Sequence, residues 1–255
     1  SDDVDAISYE PTQVYNYCEE FETKVGSTER IEATQYYFGK GRIAMDKSEA
    51  YISHMSQLEY ALFFGSRAAT QVSGYQYVYK TGGIKYFIDN SSDAVAQGNI
   101  IDYNNVIVSE SEFMQDLLTK VFKYGSKNKA LFCGANIITA VNSWAKDKVV
   151  VNQEAKKWGM DINTLIIPGG CSLDLIYHKN VFDGNAAYKG NLSSWGFVVD
   201  MKKVMLRPFT KVGLLSYETG VQANGATTIE DRYRSILGLE LHNPECHCYF
   251  KNFAY

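Results

Sequence analysis

The sequence predicts an α+β chain, and three observations carry that prediction. It opens with a β-branched and aromatic run, continues into one long amphipathic helix, and then alternates short helices with apolar strands before becoming strand-dominated. The opening run, TQVYNYCEEFETK from Thr12 to Lys24, has no internal glycine or proline and has the length of a long strand. From about Arg42 to Phe64, the residues Ala44, Ser48, Tyr51, Met55, Leu58 and Leu62 recur at three-and-four spacing, while Asp46, Lys47, Glu49 and Gln57 lie off that stripe. About 22 helical residues span roughly 33 Å, long for a domain of this size. Gly65 stands where a left-handed C-cap is expected, and the stretch to Gly83 reads as a glycine-punctuated loop. A long strand feeding a single long helix makes a spine rather than a pocket.

Past the spine the elements become mixed. Ser109 and Glu112 form a capping-box pattern, Phe113, Leu117, Val121 and Tyr124 make the stripe behind it, and Gly125 closes a helix over 109–125. A second helix is expected over 135–146, with Ile137, Ile138, Val141, Trp144 and Ala145 on one face. Apolar strands are expected at 130–133, 165–167, 173–177 and 197–199. From Lys203 onward the candidates are 204–209, 212–217, 227–242 and 246–253, punctuated by Gly213, Gly220, Gly225 and Pro244.

Composition narrows the class without deciding it. The 255 residues can bury one substantial core or two smaller lobes, and the 45% hydrophobic content is that of a globular chain. No run approaches the apolar length of a membrane span, and the acidic start SDDVDAIS has no signal-peptide character. The absence of an initiator methionine before Ser1 leads us to expect a chain that is processed, trimmed or only partly represented by this sequence. A net charge of −4 leaves no electrostatic footprint for tight nucleic-acid binding. Nineteen tyrosines and thirteen phenylalanines suit both strands and contacts between protomers, because a tyrosine ring buries area while its hydroxyl stays satisfiable. Five widely spaced cysteines, an odd number, point to free thiols in a reducing compartment.

Motifs that would carry chemistry are incomplete. His242, Cys246, His247 and Cys248 form the densest set of metal-ligand types, but strand geometry puts Cys246 and Cys248 on one face and His247 on the other, so no zinc site is expected. GKGRIA at Gly39 lacks the rest of a phosphate loop and reads as a joint between arm and spine. Ser126 to Lys129 fits S-x-x-K and Lys80 to Gly82 fits K-T-G, but in the wrong order and without the intervening Ser-Asp-Asn element. His178 flanks an apolar strand with no acid partner evident in sequence, and reads as a structural histidine.

Five segments, in order, resemble the major capsid proteins of tailed phages with the Hong Kong 97-type fold. NYCEEFETKVGSTERIEA (16–33) is similar to that family's E-loop return strand, SQLEYALFFGSRAAT (56–70) to the end of its spine helix, and KTGGIKYFI (80–88) to the loop after it. KALFCGANIITAVNSWAKD (129–147) resembles the strand-to-helix step of the A-domain. LGLELHNPECHCYFKN (237–252) resembles the closing strand pair, with a G-L-E-x-x-N-P turn at Asn243-Pro244.

The resemblance implies an extended arm and E-loop at 1–41, a spine helix of the P-domain at 42–68, a mixed α/β A-domain at 69–203, and P-domain β-sheet with closing strands at 204–255. The match begins too late to hold the family's N-terminal arm and outgoing E-loop strand, which are expected to be removed, to lie outside this sequence, or to be replaced by another chain. The expected function is self-assembly into hexamers and pentamers of an icosahedral head in the virion. That head would enclose double-stranded DNA without sequence-specific binding, and would be assembled in the host cytoplasm with portal, scaffold and decoration proteins. No catalysis, cofactor, metal or membrane is expected.

Together with the strand's mixed faces, the resemblance points to Tyr15, Tyr17, Phe21, Glu22, Lys24 and Arg30 as E-loop contacts between neighbouring subunits. The helix periodicity points to Tyr51, Met55, Leu58 and Leu62 as the spine-helix core. The strand is expected to pair outside the compact body, and the alternating charges Glu19, Glu20, Glu22, Lys24, Glu29 and Arg30 to pair partly across subunits. Two alternatives stay open: an encapsulin-like compartment enclosing cargo enzymes, and a soluble α/β ligand-binding protein or enzyme.

Overall fold

A computed structural model describes residues 13–28, 42–145, 164–167, 169–183 and 192–255. In chain order its elements are β1 (Glu19–Thr28), α1 (Arg42–Phe64), β2 (Ala68–Ser73), β3 (Gln76–Lys80), α2 (Ile84–Asp89), α3 (Ser92–Ala96) and β4 (Ile100–Asp102). There follow α4 (Glu110–Asp116), β5 (Asn128–Cys133), α5 (Ala135–Ala145), β6 (Thr164–Ile167), β7 (Cys171–Tyr177) and α6 (Lys179–Phe182). The chain ends with β8 (Gly196–Val199), β9 (Val204–Pro208), β10 (Ser216–Glu218), β11 (Thr228–Leu241) and β12 (Cys248–Lys251). Arg30, Glu29 and the joint at Gly39 lie outside the described residues.

Two sheets organise these elements. A four-stranded antiparallel sheet is built on β11: β1 runs along one side of it, from Glu19 opposite Leu237 to Thr28 opposite Thr228, and β9 and β10 share the other side. The opening strand therefore starts at Glu19 rather than Thr12, and it pairs inside its own chain, contrary to the expectation of a ribbon outside the body. The second sheet has six strands in the order β4-β12-β8-β5-β7-β6, with β4–β12 and β5–β7 parallel. Its central strand β8 is buried at every residue, as a strand covered on both faces must be. The strands after Val204 do not stay together: β9, β10 and β11 build the first sheet, whereas β12 pairs with β4 and β8 in the second.

Helix α1 has the boundaries its periodicity predicted, and Met55, Leu58 and Leu62 of the expected stripe are half-buried or buried, but in its first half the packed face is turned by one residue. Ile43, Lys47, Ala50, His54, Gln57 and Ala61 are half-buried or buried, while Ala44, Ser48 and Tyr51 of the expected stripe are exposed. One residue is roughly 100° around a helix of 3.6 residues per turn. The reason is chemical: the sheet beneath supplies polar partners, so polar side chains sit on the contact face. Gly65 ends the helix but is not in the left-handed region. A Cβ there would lie 2.4 Å from the Ala61 carbonyl and 2.6 Å from that of Thr81, so close backbone approach, not conformation, calls for glycine.

The stretch expected as a loop after the spine is the hairpin β2–β3, turning at Gly74, whose φ of +53° suits a tight hairpin turn. Ser109 caps the next helix as expected, its hydroxyl accepting from the Glu112 N–H at 3.3 Å. The helix it starts stops at Asp116 and passes into a π turn over Leu117–Val121, where the Phe122 N–H reaches the Leu117 carbonyl at 2.9 Å. Both Leu117 and Val121 stay in the core at 1% exposure across that turn.

Two apolar clusters flank the six-stranded sheet. One joins α4 and α5 to it through Phe113, Leu131, Ile137, Val198, Phe250 and Phe253. The other receives the end of α1, where Phe63 and Phe64 meet Phe182, Trp195 and Phe197 edge-on or tilted at ring distances of 5.2–6.2 Å. One helix thus lies on one sheet with its body and plugs the other with its last turn.

Candidate assembly surface

Of the residues expected to fasten the spine, Leu58 is 4% exposed, Met55 and Leu62 are half-buried, and Tyr51 is 41% exposed, lying edge-on to Tyr233 at 5.8 Å. Polar anchors on the same contact were missed. His54 is fully buried, with the Thr23 hydroxyl 3.1 Å from Nδ1 and the Ser235 hydroxyl 2.8 Å from Nε2. Lys47 pairs with Asp231 at 2.7 Å, and the Tyr217 hydroxyl donates to the same carboxylate at 2.6 Å. Lys47, then Tyr217, hold the Asp231 carboxyl below its ordinary pKa. A hydroxyl–imidazole contact at Ser235 could suggest a nucleophile, but both residues are 0% exposed and no substrate can reach them.

The opposite face of the four-stranded sheet carries a ladder of charge. Side chains alternate along strands, so Glu20, Glu22 and Lys24 stand on one face with Arg232 and Arg234 of β11 and Glu218 of β10. Arg234 meets Glu20 at 2.5 Å and Glu218 at 4.0 Å; Arg232 meets Glu218 at 2.5 Å and Glu22 at 3.6 Å; Lys24 meets Glu22 at 3.4 Å. Of the charges expected to pair partly across subunits, Glu20, Glu22 and Lys24 have partners within the chain, and Glu29 and Arg30 lie outside the described residues. Glu19, on the other face, accepts from the Thr81 N–H at 2.9 Å, and burial raises its pKa.

The remaining expected contacts diverge. Tyr15 is 60% exposed, stacked under the Arg67 guanidinium at 4.1 Å and edge-on to Tyr17 at 5.6 Å. Tyr17 leans on Tyr79 of the hairpin at 4.9 Å. Phe21 points to the helix side and lines a groove of about 910 Å³ with Ile52, Tyr60 and Phe64. Tyr15 and Tyr17 thus cluster with Arg67 and Tyr79, Glu22 and Lys24 belong to the charge ladder, and Phe21 faces the groove. Sequence reasoning missed the hairpin, although its signal was present in the alternation of Tyr75, Tyr77 and Tyr79 behind Ser73-Gly74.

The fragments of catalytic motif are absorbed by structure. Lys129 of the S-x-x-K sequence is 1% exposed, and its ammonium donates to the carbonyls of Val121, Tyr124 and Cys246 at 2.7–2.8 Å. His247 is fully buried: its Nδ1 accepts the Asp200 N–H at 3.2 Å, which leaves Nε2 to donate to the His242 carbonyl at 3.2 Å. Burial pushes its pKa from the ordinary 6.5 down to about 4. His242 instead pairs with Glu240 at 2.6 Å, and among the described residues no three metal-ligand side chains converge. His178 does have an acid near it, Glu59 of α1, 3.6 Å away. Among the described residues no helix is long and apolar enough to cross a membrane.

A long helix laid across one sheet and plugged into another, with no accessible catalytic constellation among the described residues, is the architecture of Hong Kong 97-type shell proteins. All of the chain aligns with 80% of the protein in the capsid of an empty GTA particle, at a TM-score of 0.61 and 11% identity. It aligns over 98% of its length with 78% of a chain from Gordonia phage Cozz, at 0.56 and 10% identity. It also aligns over 93% with 74% of the SrpI encapsulin of Synechococcus elongatus PCC 7942, at 0.54 and 13% identity. No curated protein sequence matches the chain. The SU10 major capsid protein family matches residues 1–254, and the chain belongs to that family. It is a major capsid protein of the phage-head type, a component of the virion.

Proposed function

We propose that copies of this chain close into hexamers and pentamers of an icosahedral head enclosing double-stranded DNA. The observation that carries this reading is the whole-chain family match on a fold whose single long helix ties two sheets into one unit. Repetition suits such a unit, because modest interfaces suffice when symmetry closes many of them. Residues 1–41 supply the arm and E-loop, 42–68 the spine, 69–203 the axial domain, and 204–255 the peripheral and closing strands, with β12 paired in the axial sheet. Portal, scaffold and decoration proteins complete the head in the host cytoplasm. With a net charge of −4 the wall holds DNA without gripping it, and the chain acts without cofactor or catalysis.

Expression of the chain with its phage assembly partners tests this. Negative-stain images are expected to show closed shells built from 28.7 kDa protomers, and nuclease treatment of filled heads is expected to leave protected double-stranded DNA. A strictly monomeric species at every concentration and salt overturns the reading. The likeness to the SrpI encapsulin supports a second one, in which the shell encloses protein cargo; shells with cargo enzyme and no protected DNA select it.

A further inference from the structure

We propose that the β2–β3 hairpin is a gripping arm whose tyrosine face docks on a second copy of this chain. The proposal rests on the shell reading above and names one of its contacts. Every residue from Thr70 to Lys80 is exposed, on both faces of the hairpin. Tyr75 at the tip is 101% exposed, Val72 64%, Tyr77 and Val78 48%, and Tyr79 44%. A two-stranded ribbon of this kind is marginal by itself in water and gains its stability from what it rests on.

The face is continuous and built. Tyr77 stacks on Tyr79 at 6.2 Å, Tyr79 meets Tyr17 at 4.9 Å, Tyr17 meets Tyr15 at 5.6 Å, and Arg67 caps the row over Tyr15 at 4.1 Å. The Arg67 guanidinium also donates to the Tyr15 carbonyl at 2.6 Å, fixing the inner end. The hairpin's own turn is locked, its Gln71 amide donating to the Gly74 carbonyl. Tyr77 and Tyr79 on this face, with Tyr75 at the tip, offer roughly 400 Å² of mostly apolar surface, taking about 150–250 Å² for a whole aromatic side chain, while Val78 alternates to the other face. That is within the range of the largest patch a monomer normally shows, and is about half of the ~800 Å² one partner contributes to a stable interface.

Charge selects the partner. From Ala68 to Tyr79 there is no charged side chain, and the two cations at the base, Arg67 and Lys80, stand over Tyr15 and at the end of β3, so the tip of the arm offers no charge to phosphate, an acidic peptide or a basic one. Tyrosine-rich neutral faces fit other folded protein surfaces, where the ring buries area and the hydroxyl reaches a polar rim. The charged face of the four-stranded sheet is already satisfied within the chain, whereas the uncharged tip of the arm keeps its aromatic surface free. In a closed shell the protein surface present beside every arm is that of another copy.

The double substitution Tyr75→Asp with Tyr77→Asp, made in the full chain, tests the arm. Both side chains project away from the two apolar cores, so the protomer is expected to keep its circular dichroism and melting transition while shell yield by light scattering falls at least about tenfold. Amide hydrogen exchange over 68–80 gives a second reading without mutation, expected to be at least about tenfold slower in wild-type shells than in free protomers. Wild-type shells whose hairpin exchanges as fast as in protomers, or a double variant that assembles normally, overturn the arm and leave the capsid reading standing. Wild-type protein that never assembles, with rapid exchange over 68–80, overturns both.

Discussion

The two sheets are held by different forces. The six-stranded sheet is clamped between helices by aromatic and aliphatic side chains, with Leu131, Leu173, Phe197 and Val198 at 0% exposure. The four-stranded sheet carries α1 on a contact face where His54, Ser235, Asp231 and Lys47 do as much as Leu58. Apolar packing is strong and indifferent to direction, whereas hydrogen-bonded pairs weigh less and fix register. We infer that the six-stranded sheet supplies stability and the four-stranded sheet supplies the setting of the spine.

The comparison breaks most visibly in the apolar half. Phe250 is 1% exposed and meets Phe113 at 5.7 Å, so Phe250→Ala is expected to cost about 3–5 kcal/mol in chemical denaturation. A loss below ~1 kcal/mol would mean that this cluster does not carry the fold.

Acid comes next. The His247 pKa is about 4 in the folded chain against an ordinary 6.5, so the unfolded state binds the extra proton first. Its contribution is complete above pH ~6.5 and is lost as pH falls toward 4, about 3 kcal/mol in all. His54, whose pKa burial also lowers, acts in the same direction. Glu19, raised by burial, acts in the opposite direction at the lower end of the range. A denaturation midpoint that stays level between pH 6.5 and 4.5, or an unchanged slope in His247→Gln, contradicts this assignment.

Ser235→Ala probes the polar half. It leaves the buried His54 Nε2 without its partner and is expected to cost about 1–3 kcal/mol. An additional loss of exchange protection confined to α1 and β1 would sharpen the view that this contact sets the spine. The smallest effect belongs to the charge ladder: Glu22→Gln, with Glu22 31% exposed and partnered by Arg232 and Lys24, is expected to change stability by about 0–1 kcal/mol, less in high salt. A larger change would make the ladder a structural element in its own right.

How much was legible follows from distance along the chain. The limits of α1, the cap at Ser109 and the strands near 130–133 and 196–199 came from windows of a few residues, because periodicity and capping are local. The colinear segments carried the family, which no single window could. The first half of the face of α1 was misread by one residue, since Lys47 and His54 become contact residues only when Asp231 and Ser235, more than 180 positions away, are brought beneath them. Likewise Glu20 finds Arg234, Glu59 approaches His178, and β12 leaves its sequence neighbours for β4 and β8.

That this chain is an α+β shell protein with a long spine was readable before folding, because hydrophobic period, helix ends and ordered family segments are written in consecutive residues. Which side of the spine is inside, which charges are already paired and which tyrosines face outward emerged only once distant strands were brought together. Those depend on strand register, and register is set by how the apolar faces of strands far apart in sequence, here β1 and β11, fit one core.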